Sequence, residues 1–338
     1  METIIYFNKI NSIGGVESWL YYLAKKYDFK VYYKEANVEQ IKRLSKLVEV
    51  HKYKQPIKCD RFICNYNFDI EVEAKEKIEM VHCDYKYVRF KPMLFDGFKY
   101  IGVSQVACDS FSELTGKECE LMYNPLEIEK PKVEKYNDNK IHLISATRLS
   151  SEKGLERMQK LAKLLDQEKI DYVWNIYSNR RKKIVGANAV YNDPKLDILG
   201  EIAKADYLVQ LSDCEAYCYT TNESLLVGTP VIITDLPVFK ELGYKHGENA
   251  IICDLNMKNV DLDLIKEKSM KFKYEPPKSN WDKYLSSKKT YNPDELVEVK
   301  ATKRIYLSEN DTHYKPRETF KVKKSKASEL EAMGCIEW

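Results

Sequence analysis

The stretch EAYCYTTNESLLVGTPVIITD, residues 215–235, decides how the chain is read. Two acids, Glu215 and Glu223, stand seven residues apart. Asn222–Leu226 opens a helix, and Gly228 followed by Pro230 is a helix stop. Pro230–Thr234 is a short run rich in β-branched residues, which predicts a buried strand. Leu208–Leu211, just upstream, predicts another. The order is therefore strand, loop, helix, strand. Glu215 falls in the loop and Glu223 near the helix start. In a parallel sheet both carboxylates then sit at the carboxyl ends of the strands, where such sheets bind ligands.

Working outward, the same alternation fills the chain. Upstream, Lys140–Ala146 reads as a strand, Gly154–Asp166 as a helix and Asp171–Tyr177 as a strand. The first part repeats the theme with strands at Ile4–Phe7, Lys30–Tyr33, Arg61–Tyr66, Lys77–His82 and Tyr100–Val103. Helices are expected at Val16–Tyr27 and Val38–Leu47. Asn124-Pro125 and the charged stretch 130–140 separate the two halves. The expected architecture is α/β: two Rossmann-like, doubly wound domains, 1–137 and 138–290, facing a cleft. Glu275-Pro276-Pro277 breaks the second half, and Trp281–Leu285 predicts a short last helix. Beyond Pro293 the character changes. Val297–Tyr306 and Glu318–Val322 read as strands and Ala327–Met333 as a helix, which makes 293–338 a small β-rich appendage.

Composition narrows the function classes. Net charge is +3, from 55 basic and 52 acidic residues, which does not point to nucleic-acid binding. No apolar run approaches the roughly 18 residues of a membrane span, and Met1–Tyr6 lacks the basic-then-apolar layout of a signal peptide. A cytoplasmic protein is expected. The nine cysteines include no Cys-x-x-Cys pair, and the five histidines are far apart in sequence. Reduced thiols are expected, without a metal site.

Three motifs carry candidate chemistry. Gly14-Gly15 lies at the turn into the first helix, where bare N–H groups and the helix dipole favour an anion; a plain turn is the competing reading. Arg148 and Lys153, in the stretch 146–154, lie where a pyrophosphate would sit, Arg as a planar fork and Lys as a point charge; a solvated loop is the alternative. Glu215 and Glu223 are suited to accept hydrogen bonds from sugar or ribose hydroxyls, or are two unrelated surface acids.

Taken in order, these motifs resemble family-4 glycosyltransferases of the GT-B fold. Gly14-Gly15, Arg148 through Lys153-Gly154, Glu215 through Glu223, and Gly228-Thr229-Pro230-Val231-Ile232 carry the resemblance across about residues 1–290. Gly102-Val103-Ser104 and Tyr123-Asn124-Pro125-Leu126 are weaker signs. The resemblance implies a retaining transferase without a bound metal or resident cofactor, moving a hexose-type sugar from a nucleotide-diphosphate donor, with a UDP-sugar favoured. Carried over by residue, Gly14 and Gly15 would face the donor phosphate, and Arg148 and Lys153 would stabilise the leaving diphosphate. Glu215 would hold the sugar and Glu223 the ribose, with Asn222, Ser224 and Leu225 near the phosphates. His82 would stand on the acceptor side. A GT-B protein that binds nucleotide or glycan without turnover, an epimerase and a phosphorylase remain as alternatives.

The departures from the pattern lie in the donor pocket. Ala216-Tyr217-Cys218-Tyr219 replaces a Gly-Phe-Gly-like stretch, Leu236-Pro237 replaces a glycine pair, and Asn175–Asn179 lacks a Gly-x-Gly ending. Asp261-Leu262-Asp263 reads as a solvated helix start more than a metal site, and Arg180–Lys183 as an exposed basic loop. Residues 293–338 resemble small β-rich segments of phage structural proteins. That implies a phage or prophage enzyme acting on a cell-wall glycan, a protein or modified DNA; a stability module, or one through which the chain forms oligomers, is the other reading.

Overall fold

The computed structural model describes residues 1–11, 13–65, 68–88, 90–179, 182–184, 188–268, 270–287 and 290–338. Tyr66, at the end of one expected strand, and Arg180 and Arg181 of the expected basic loop lie outside the described residues.

The first half alternates strand and helix: β1 (Thr3–Ile10), α1 (Gly15–Lys26), β2 (Lys30–Ala36), α2 (Val38–Leu44), β3 (Glu49–Lys52), β4 (Ile57–Asn65), β5 (Val72–Val81), β6 (Phe98–Gly102), α3 (Gln105–Thr115) and β7 (Cys119–Leu121). Among the described residues the strands form a seven-stranded sheet in the order β3-β2-β1-β4-β5-β6-β7, every pair parallel. Successive residues of β1 face opposite sides. Ile5 and Phe7 join Trp19, Leu20 and Leu23 of α1, while Ile4 and Tyr6 join Phe62 and Cys64 on the reverse face. Parallel neighbours are normally bridged by a helix. The short β4–β5 link instead lays Phe68 against Phe95 and Phe98, with ring centroids 4.6 and 5.5 Å away. Those aromatics cover Phe62 where a helix would otherwise lie.

The second half runs β8 (Ile141–Ala146), α4 (Leu155–Gln167), β9 (Tyr172–Tyr177), β10 (Ala189–Asn192), α5 (Leu199–Lys204), β11 (Tyr207–Gln210), α6 (Tyr219–Val227), β12 (Val231–Thr234), α7 (Pro237–Glu241), β13 (Ala250–Cys253) and α8 (Leu262–Glu267). Its parallel sheet has the order β10-β9-β8-β11-β12-β13. Helix α6 begins at Tyr219, three residues before the start read from sequence. Asp261 caps α8, its Oδ1 accepting from Leu264 N–H at 3.0 Å, in keeping with a solvated helix start. Strand order reverses between β1 and β4 in the first sheet and between β8 and β11 in the second. Loops leaving the reversal diverge and open a crevice. Gly14-Gly15 follows β1, Arg148 and Lys153 follow β8, and Glu215 follows β11.

The halves are joined by more than the linker. Tyr217 Oη donates to Asn124 O and Tyr219 Oη to Pro125 O, at 3.3 and 3.1 Å. The Glu241 carboxylate of α7 accepts from the first N–H groups of α3, Gln105 at 2.6 Å and Val106 at 3.2 Å. The chain then returns to the first sheet, where buried Trp281 packs against Trp19 at 5.7 Å. The short helix expected at Trp281–Leu285 is a single tight turn, Trp281–Lys283.

The appendage contains β14 (Leu296–Ala301), β15 (Ile305–Leu307), β16 (Thr312–Tyr314), β17 (Thr319–Lys323), α9 (Lys324–Ala332) and β18 (Ile336–Glu337). The strand expected over Val297–Tyr306 is two strands: β14 pairs with β17 and β18, whereas β15 pairs with β16 in a separate hairpin. Helix α9 lies along β3, the edge of the first sheet. Ser328 Oγ donates to Val50 O at 2.8 Å, and Glu331 accepts from Lys52 N–H at 2.9 Å and from the Lys54 ammonium.

Candidate active site

One wall of the candidate site is built where α4 starts beside the end of β11. Gly154 holds φ +80°, and a Cβ there would fall 1.8 Å from Leu211 O. The absent side chain lets the two loops touch and brings Lys153 onto Glu215. Glu215 Oε1 accepts from Lys153 Nζ at 2.7 Å, Ser212 Oγ at 2.7 Å and Gln210 Nε2 at 3.2 Å. Its second oxygen has no hydrogen-bond partner among the described residues. Burial disfavours the Lys153 charge, but Glu215 outweighs it, so the ammonium holds its proton above the usual lysine range. Arg148, about half exposed, bonds Glu152 at 2.6 Å.

These residues face a cavity of about 600 Å³ whose opposite wall comes from the first domain, including His82 and Asp84. His82 leaves the end of β5, bonds Asn65 Oδ1 through Nε2, and sets its ring edge-on to Trp19 at 5.2 Å. Burial drives its pKa down to about 3, so the imidazole is neutral at physiological pH. It is suited to exchange hydrogen bonds with a hydroxyl, not to act as a cation.

The other expected residues sit apart from that cavity. Gly14 is extended before α1 and gives it no side-chain cap, while a Cβ on Gly15 would meet open space. Packing therefore does not demand a glycine at 15. Glu223 is nearly buried and accepts from Tyr22 Oη of α1 at 2.7 Å, and the Tyr22 ring stacks on Tyr219 at 5.3 Å. Burial raises the Glu223 pKa, and the bond from Tyr22 opposes that rise. Asn222 Nδ2 donates to Tyr217 O and Cys218 O, Ser224 Oγ donates to Thr229 O, and Leu225 is packed in the core. Asn222 Oδ1 also accepts from Tyr274 Oη, so these side chains fasten α6 to the segments on either side of it and to the later chain. Sequence reasoning missed Tyr22, one tyrosine among many on a helix, and Asp84, which its place two residues beyond His82 could have suggested.

The departure at Ala216–Tyr219 also takes shape. Cys218 stands at φ +60°, a conformation glycine adopts without penalty. Burial, then Glu215, push its thiol up to about 12, so it is a neutral packing group. Helix α6 starts immediately after it without a side-chain cap.

Comparison with solved structures decides the architecture. HepE of Anabaena, in complex with UDP and glucose, aligns over 79% of this chain and 89% of its own, with TM-score 0.58 and 15% identity. The lipopolysaccharide outer core galactosyltransferase WaaB aligns over 81% and 92%, with TM-score 0.54 and 13% identity. WaaG, a glycosyltransferase involved in lipopolysaccharide biosynthesis, aligns over 78% and 88%, with TM-score 0.52 and 13% identity. This chain has the GT-B fold. No family model and no curated protein matches the sequence. The two parallel sheets are the Rossmann-like halves of the GT-B frame, and the cavity holding His82, Arg148, Lys153 and Glu215 is its interdomain cleft. The antiparallel sheet of residues 296–337 is an addition at the end of that frame. Among the described residues no helix is long and apolar enough to cross a membrane.

Proposed function

We propose that this chain is a retaining glycosyltransferase that moves a hexose from a nucleotide-diphosphate donor to an acceptor hydroxyl without a metal ion. The observation that carries the reading is the Lys153–Glu215 pair, with Arg148, across one cleft from His82. Breaking a sugar–diphosphate bond builds negative charge on the leaving phosphate oxygen. Fixed cations and N–H groups there lower the barrier. Arg148 and Lys153 supply the charge, and the bare start of α1 supplies N–H groups beside Gly15. Glu215 offers its unpartnered oxygen to donor-sugar hydroxyls, and Glu223 holds the ribose. The new bond joins the anomeric carbon to the acceptor oxygen as the carbon–phosphate oxygen bond breaks. The acceptor's proton passes to the leaving phosphate oxygen, and neutral His82 orients the hydroxyl.

The complex of HepE with UDP and glucose supports a uridine nucleotide as donor. The test is a melting and donor-hydrolysis panel over UDP-, GDP-, ADP- and TDP-sugars. A ligand bound only by the folded chain raises its melting temperature. One nucleotide class should do so, and one sugar on it should be hydrolysed slowly by wild type. Arg148→Ala should reduce that hydrolysis about 100-fold at saturating donor, the scale of losing one charge-stabilising group. Nucleotide binding without hydrolysis or transfer would favour a binding protein. No shift with any nucleotide at millimolar concentration removes the donor site altogether.

A further inference from the structure

The loop from β5 to β6, residues 82–97, contributes the acceptor wall and has an unusual surface. Tyr87, Phe90, Met93 and Leu94 are 52, 52, 44 and 45% exposed. Large apolar side chains scattered singly over a surface are ordinary, but a cluster marks a binding face. This cluster is anchored at both ends. Buried Tyr85 packs against Phe111 of α3 at 5.8 Å, and Phe95 N–H donates to Tyr100 Oη at 2.9 Å beside the Phe68 and Phe98 rings. Tyr85 and Phe95 thus fix the two ends of the stretch that carries the exposed side chains. Phe90, Pro92 and Met93 line the cavity together with Arg148 and Glu215.

Charge completes the description. No acid occurs between Asp84 and Asp96. Lys86 is paired with Glu113 at 2.8 Å, whereas Lys91, which also lines the cavity, makes no ion pair among the described residues. A neutral sugar can stack one C–H face on a single ring, but it offers no negative charge to Lys91 and too little apolar surface for Phe90, Met93 and Leu94 together. An alkyl chain next to an anion offers both.

Resting on the transferase reading, we propose that the acceptor is an anionic amphiphile, a lipid whose phosphate head group carries the accepting hydroxyl. The head group enters beside Lys91, and the alkyl chain lies along Phe90 and Met93. Burying the chain against these side chains supplies apolar contact, and Lys91 supplies attraction to the phosphate.

The experiment is calorimetric titration of the full chain with three probes: lysophosphatidylglycerol below its micellar concentration, octyl glucoside, and glycerol 3-phosphate. The expected order is lysophosphatidylglycerol at least about tenfold tighter than either of the others, because only it combines chain and charge. Phe90→Ser with Met93→Ser should weaken it about tenfold, and Lys91→Gln should bring it down to the level of octyl glucoside. Glycerol 3-phosphate binding equally well, or the double variant binding the amphiphile as wild type does, overturns the proposal. Melting shifts with nucleotide on the same samples separate the two readings. A nucleotide shift without amphiphile binding removes the acceptor assignment alone. Absence of any nucleotide shift removes the transferase reading beneath it.

Discussion

At the scale of single residues, the cleft depends on a glycine and the sheet holds a buried acid. Gly154 has both a left-handed backbone and a carbonyl where its Cβ would be. Backbone cannot move aside as a flexible side chain can. Gly154→Ala should therefore cost on the order of 3 kcal/mol of stability by urea unfolding, while a wild-type midpoint would mean that α4 does not press on Leu211. Glu79 of β5 is buried, its Oε2 has no partner among the described residues, and burial raises its pKa to about 8. The sign follows from proton uptake. Between about 4.5 and 8 folded Glu79 holds a proton that it releases on unfolding, so its contribution to stability falls as pH rises across that window. Glu79→Gln should remove this slope. Its melting temperature should exceed that of wild type at pH 8.5 and match it near pH 4.5, and parallel melting curves for the two chains across the range would refute the assignment.

At the scale of elements, the hydrogen bond between α1 and α6 bears on the proposed donor site. Glu223 is in the second half of the chain, yet its hydrogen-bond donor, Tyr22, is in the first. The bond favours the ionised carboxylate against burial. Tyr22→Phe should leave Glu223 taking up a proton more readily and, in its proposed role, accepting ribose hydroxyls less well. Nucleotide affinity should drop about tenfold, the scale of a bond to a charged group, and more at pH 6.5 than at pH 8.5. Calorimetry at the two pH values reads this, and equal affinities for variant and wild type would show that Tyr22 only packs. Nothing in sequence marked the pairing, because Tyr22 lies at core spacing on an amphipathic helix. The alternation of strand and helix was legible, since β1, β8, β11 and β12 are apolar runs between clear stops. The edge strand β3 was not: Glu49-Val50-His51-Lys52 carries one inward apolar residue, and its place is fixed by β2 and α9. Helix α3 also escaped notice, its Ser, Cys and Asp residues diluting the apolar stripe. The cleft residues Arg148, Lys153 and Glu215 were legible because Arg148 and Glu215 fall in loops leaving clear strands, and Lys153 stands just before the glycine that opens α4. Asn222 and Ser224 were readable as part of α6, but only the fold shows their side chains bonding the backbone that flanks it, at Cys218 and Thr229.

At the scale of the whole molecule, the appendage bears on how the first sheet ends. An exposed edge strand offers unpaired N–H and C=O groups to other chains. Here β3 is that edge, and α9 covers it: Ser328 Oγ takes Val50 O, and the Glu331 carboxylate takes Lys52 N–H and the Lys54 ammonium. Glu331 is 2% exposed, so its charge is stabilised by those donors and not by water. His51 adds a ring contact with Trp338 at 4.4 Å. The appendage thus acts as part of the first domain. Ending the chain at residue 290 should uncover β3 and α2 together. The shortened protein should melt at a lower temperature and form concentration-dependent oligomers by light scattering, while the second half, whose strands form a sheet separate from that of β3, should keep the nucleotide-induced shift expected of the proposed function. Glu331→Ala in the full chain should reproduce part of the loss, about 3 kcal/mol, because Lys54 and Lys52 N–H lose a buried partner. A monomeric shortened chain with unchanged melting would mean that β3 needs no cover, and the appendage would then have to act through its outward face, where Leu296 and Tyr306 are exposed.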